Sequence, residues 1–119
     1  MMFVAAQNAR DEAGVTALLR DSPDFLWVTT TANTVWGRDV AMKRFLLNWK
    51  GAWKLEPQLN ELRVVEIAPG VAVLHTPLVF TFAPPGKEAI PELIKWSGVF
   101  IQSDKGWRIA SILLAKVPK

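Results

Sequence analysis

The sequence predicts an α+β domain, with helices packed on one side of a curved antiparallel sheet. Three observations carry this. Apolar residues recur at helical spacing only in the first half of the chain, and after Pro57 the period drops to two. Four period-two segments then follow one another, joined by short turns, which is the pattern of a meander. Helices first and a meander afterwards give an α+β layout. Such a sheet curls as it twists, and a helix closing its open side leaves a cone-shaped hollow of the kind small molecules occupy.

The elements follow in order. From Ala5 to Leu19, Ala6, Ala9, Ala13, Ala17 and Val15, Leu18, Leu19 recur at mostly three- and four-residue steps, and Gly14 is where a bend or a split is expected. Asp21-Ser22-Pro23-Asp24 is a stop and turn signal. Phe25 to Thr31 is aromatic and β-branched and reads as a strand, with a turn at Ala32-Asn33-Thr34. A second helix opens near Asp39, whose charge suits the positive end of the helix dipole, and its stripe runs through Ala41, Phe45, Trp49 and Ala52 or Trp53. The meander strands are Leu62–Ile67, Val71–Phe82, Ile94–Ser103 and Trp107–Val117, turning at Ala68-Pro69-Gly70, Pro84-Pro85-Gly86 and Asp104-Lys105-Gly106.

Composition narrows the class. At 119 residues the chain is expected to be a single domain spanning 1–119. Half of it is apolar, which excludes disorder, and with no cysteine it has neither a disulfide scaffold nor a thiolate zinc site. With one histidine as well, no metal is expected, and the absence of phosphate-loop and dinucleotide motifs leaves no cofactor to expect. The formal charge is +3 and Lys43-Arg44 is the only adjacent basic pair, so no nucleic acid is expected as a partner. No apolar run approaches the ~20 residues of a membrane span, and Met1–Ala6 is followed at once by polar residues, so the expected location is the cytoplasm.

Five segments then carry a resemblance. Asp24-Phe25-Leu26-Trp27-Val28, Trp36-Gly37-Arg38-Asp39-Val40, Gly70 to His75, Trp96-Ser97-Gly98-Val99-Phe100 and Asp104 to Ile109 stand in the order in which similar segments occur in SnoaL-like proteins. These belong to the nuclear-transport-factor-2-like (NTF2-like, cystatin-like) superfamily, which includes ketosteroid isomerase. The likeness implies a cone-shaped NTF2-like fold and a homodimer formed through the outer face of the sheet. It departs from the family twice. The family's first helix has about 20 residues, long enough to cross a small domain, whereas here few residues precede Asp11. Ketosteroid isomerase uses an Asp base with a Tyr and a protonated Asp as donors; the corresponding stretch Val28-Thr29-Thr30 has no carboxylate, and the chain has no tyrosine.

The candidate site residues each have two readings. His75, the only histidine, is the candidate catalytic acid or base, since imidazole suits proton transfer near neutral pH; the alternative is a polar residue on the outer side of its strand or at a dimer interface. Glu66, the only acid inside the first meander strand, is either a pocket carboxylate or an exposed charge. Thr29 offers a hydroxyl to a ligand or is simply a strand former. Trp27, Trp49, Trp53 and Trp96 either wall a pocket for a flat apolar ligand or fill the core. The resulting expectation is a binding domain for a small apolar molecule with a Trp-lined pocket. The alternatives are a metal-independent isomerase, cyclase or hydratase-type enzyme on a small apolar or polyketide-like substrate, and a structural dimerisation module.

Overall fold

The computed structural model describes residues 2–117. Three α-helices, α1 (Met2–Asn8), α2 (Glu12–Leu18) and α3 (Arg38–Asn48), lie against a seven-stranded sheet. The strands are β1 (Leu26–Val28), β2 (Thr34–Trp36), β3 (Ala52–Pro57), β4 (Arg63–Ala68), β5 (Val71–Ala83), β6 (Ile90–Ser103) and β7 (Gly106–Lys116). Their spatial order is β2-β1-β7-β6-β5-β3, with β4 also paired to β5, so the sheet is open rather than closed. No helix is long and apolar enough to cross a membrane among the described residues.

The meander β4-β5-β6-β7 is antiparallel throughout, as its turns predict. The sheet as a whole is mixed, because β1 runs parallel to β7, in register Trp27 with Ile112. The chain reaches that edge from α2: Leu19 bridges to Ile109, and the Arg20 amide donates to the Ile109 carbonyl at 2.8 Å. A bulge between Val99 and Phe100 bends the long β6–β7 pair, giving the sheet local curvature over the helices.

Strand β1 is shorter than expected, β2 was not expected, and β6 begins at Ile90 instead of Ile94; two further differences shape the site. The first helical segment breaks at Arg10, which takes φ 54, and not at Gly14. Asp11 caps α2 by accepting from the Gly14 amide at 3.0 Å, and any side chain at position 14 would collide with that carboxylate. The glycine thus serves the cap. The second difference moves Trp53 from a helix stripe to a strand. Helix α3 ends at Asn48, and β3 pairs with β5 from Ala52 opposite Ala83. Gly51 permits this, because a Cβ there would run into the Ala83 carbonyl. One edge of β5 is therefore shared, β3 taking Leu78–Ala83 and β4 taking Val71–His75.

The core lies between the helices and one face of the sheet. Val15, Leu19, Phe25, Leu78, Ile94, Ile109 and Ile112 are almost wholly excluded from solvent. Helix α1 has only seven residues, yet Phe3 and Val4 are buried in this core.

Candidate functional site

Residues opposite one another on neighbouring strands share a face. On β5 the even positions turn inward, where Thr76, Leu78, Phe80 and Phe82 meet Trp96, Ile94, Glu92 and Ile90 of β6. Across the other edge of β5, Phe82 faces Trp53 and Phe80 faces Leu55. Beyond Leu78 the inward side chains are no longer all covered by helix, and a cavity of about 330 Å³ opens between them, α1, α3 and β1.

Its wall is a continuous aromatic array. Trp27 stacks on Phe45 with ring centroids 4.3 Å apart. Phe45 meets Trp53 edge-on at 6.0 Å, and Trp53 meets Phe80 edge-on at 4.9 Å. Trp96 closes the wall from β6 and packs against Phe3 of α1 at 5.8 Å. Gly98 makes room for that indole, since a Cβ there would collide with the Trp96 ring. Edge-to-face and offset geometries of this kind hold aromatic walls in place while leaving ring faces for a ligand.

A buried amide interrupts the wall. Gln7 of α1 is fully buried, and its Oε1 accepts from Trp49 Nε1 at 3.1 Å and from Trp53 Nε1 at 2.9 Å. Its Nε2 has no partner. Next to it, Asn8 pairs through both side-chain atoms with the Leu55 backbone, at 2.8 and 2.9 Å, which fixes α1 to β3.

The mouth is polar. Thr30, Thr31, Arg44, Asn48, Glu88, Glu92 and Lys116 border it, and Lys116 lies 3.8 Å from Glu92. Arg44 stands 5.9 Å from the centre of the Trp27 ring, within cation–π range.

The structure brings together four of the residues singled out from the sequence: Trp27, Thr29, Trp53 and Trp96 line the cavity. The Thr29 hydroxyl already engages the β1–β2 turn, contacting Thr31 Oγ1 at 3.1 Å and accepting from the Asn33 amide at 3.1 Å. Trp49 is buried behind the wall and reaches the site through Gln7 and by stacking on Phe45, with ring centroids 6.2 Å apart. His75 and Glu66 lie elsewhere. His75 occupies an odd position on β5, so it faces the other side of the sheet, with its Nδ1 2.7 Å from Ser97 Oγ. It borders a second depression, of about 380 Å³, with Gln58, Glu61 and Lys95. Glu66 is exposed on β4, where its carboxylate accepts from the Gly70 amide across the turn at 3.4 Å. Among the described residues no group of three or more His, Asp or Glu side chains is arranged to hold a metal ion.

Sequence reasoning missed Gln7, Phe80 and Phe82. The two phenylalanines carried a usable signal, since they alternate on the strand that the sequence did predict. Gln7 carried none, because a lone amide on a helix marks nothing until its two indole partners, more than 40 residues away, are in place.

Known structures resemble this chain closely in shape and distantly in sequence. A candidate dehydratase of the NTF2-like family from Streptomyces avermitilis superposes with a TM-score of 0.82 at 16% identity, covering 99% of this chain and 90% of that one. A candidate calcium/calmodulin-dependent protein kinase II association domain from Xanthomonas campestris gives 0.79 at 18% identity, covering 98% and 81%. A ketosteroid isomerase-like protein from Erwinia carotovora atroseptica gives 0.78 at 17% identity, covering 99% and 90%. At such identities the likeness is one of fold. No curated protein sequence matches the chain. The SnoaL-like domain family matches residues 2–115, nearly the whole chain, and with the NTF2-like architecture described above this protein belongs to the SnoaL-like family.

Proposed function

We propose that this domain binds a flat, apolar small molecule in the aromatic cavity, with Trp27, Thr29, Trp53 and Trp96 among its contacts. The supporting observation is the cavity itself. About 330 Å³ lies between aromatic walls and opens through a polar rim, the combination of an apolar interior and few polar groups that marks ligand pockets. Neither His75 nor Glu66 borders this space, and the two carboxylates that do, Glu88 and Glu92, stand at its rim. Binding without chemistry is therefore the reading we favour. Titrating the protein with a panel of bicyclic and tricyclic aromatic compounds while following tryptophan fluorescence tests it. Saturable quenching or enhancement by some members is expected, and a panel without responders would remove the proposal.

The names of two structural neighbours, a dehydratase and a ketosteroid isomerase-like protein, support a second reading, a metal-independent enzyme on a small apolar or polyketide-like substrate. In that case Glu92, half-buried on the inner face of β6, is the proton-transfer group. Turnover that survives Glu92→Gln unchanged would exclude it.

The same reading includes a homodimer through the outer sheet face. Val65, Val73 and Val99 lie in one cross-strand row there, and Leu113 follows Ser97 and His75 in the next. Val65, Leu93 and Leu113 are each about 41–42% exposed, leaving an apolar surface that isologous pairing would cover. The association-domain name of one neighbour points the same way. A monomeric mass at micromolar concentration would contradict it.

A further inference from the structure

Gln7 has half of its hydrogen-bonding capacity committed and the other half buried without use. Two indole N–H groups converge on its Oε1, at 3.1 and 2.9 Å. An indole can only donate, so these two contacts dictate which end of the amide is oxygen; the reverse orientation would set donors against donors. They also occupy both acceptor positions of that oxygen. The Nε2 group is thereby held on the far side of the amide, buried and without a partner, in a side chain that borders the cavity. A buried donor left unmade is costly, and native structures rarely keep one without a purpose.

We infer that Gln7 Nε2 recognises the ligand, and that the ligand carries a neutral carbonyl oxygen at the end that enters first. This rests on the cavity being the binding site. The chemistry of the deep wall selects the group. A hydroxyl there would accept from Nε2 but bring a donor of its own, and the Gln7 oxygen is already filled. A carboxylate would carry its charge into the apolar interior, away from Arg44 and Lys116, which stand at the mouth. A ketone, quinone or lactone oxygen accepts and brings nothing that needs a partner. Because Nε2 has no solvent contact, the oxygen reaches it by displacing the side chains that cover it. The bonds from Trp49 and Trp53 hold the Gln7 oxygen in place meanwhile, and Asn8 fixes the same turn of α1 to the Leu55 backbone.

The test compares 1-tetralone with tetralin, which differ essentially in the carbonyl, using the isotopically labelled full chain and NMR. Both should perturb the cavity residues, with the ketone binding roughly five- to tenfold more tightly, the worth of one neutral hydrogen bond. Only the ketone should move the Gln7 side-chain amide signals. In Gln7→Met the ketone's advantage should vanish; because that change also strips two indoles of their acceptor, the wild-type comparison decides the matter if the variant does not fold. Equal affinities with an unmoved Gln7 amide would overturn the inference and leave the cavity reading intact. If neither compound perturbs the cavity at millimolar concentration, the cavity reading fails and the inference with it.

Discussion

The two faces of the central sheet are built from the same strands and have opposite characters. Along β5 and β6 the inward positions carry Phe80, Phe82, Ile94 and Trp96, and the outward ones carry Val73, His75, Val79, Leu93, Ser97 and Val99. Large rings on the concave side cannot all fill the space under the short helices, so they border a hollow. The other side mixes valines and leucines with polar and charged side chains, among them the His75–Ser97 pair, Arg63, Lys95, Lys54 and Glu56. A single residue of parity therefore separates a cavity residue from one on the outer face. That parity puts His75 away from the cavity even though its neighbours Leu74 and Thr76 turn inward.

Substitutions on the two faces should separate accordingly. The largest effect is expected at the inner face. Trp53→Ala removes the edge contacts to Phe45 and Phe80 and the donor to Gln7, and should lower the unfolding free energy by about 3–5 kcal/mol, read by chemical denaturation. On the outer face, Leu113→Glu would set like charges across a two-fold interface. It should weaken self-association by about a hundredfold, or ~3 kcal/mol, in sedimentation experiments, while the affinity for a cavity ligand stays unchanged. His75→Ala loses the contact to Ser97, and should cost about 1 kcal/mol of stability and nothing in ligand affinity. A large loss of ligand affinity in His75→Ala would erase the distinction between the faces. Glu66→Gln, at an exposed turn, should change stability by less than about 0.5 kcal/mol and leave binding untouched.

Much of the architecture was legible because its signals are local. The meander follows from turn residues and alternation, and the Asp104-Lys105-Gly106 hairpin lands where predicted, with Gly106 at φ 102. Strand β3 was not legible. Trp49 and Trp53 are four residues apart, which fits a helix stripe as well as a strand following a turn, and only the approach of Gly51 to the β5 backbone decides between them. The parallel β1–β7 pairing joins residues about 85 apart in sequence and leaves no local trace. The cavity wall was legible in part: of the four tryptophans expected to form it, Trp27, Trp53 and Trp96 line the cavity and Trp49 lies behind it. Which face each strand presents is a matter of register, and register is set by partners distant in the chain.

The central claim is that the aromatic cavity, and no other surface, receives the ligand. The six tryptophan indole N–H signals of the labelled protein report on it directly during a titration with 1-tetralone. The account predicts that Trp27, Trp53 and Trp96 shift together with saturation, while Trp36 and Trp107, exposed outside the cavity, stay still. Shifts confined to Trp36 or Trp107, or to residues around His75, would contradict it.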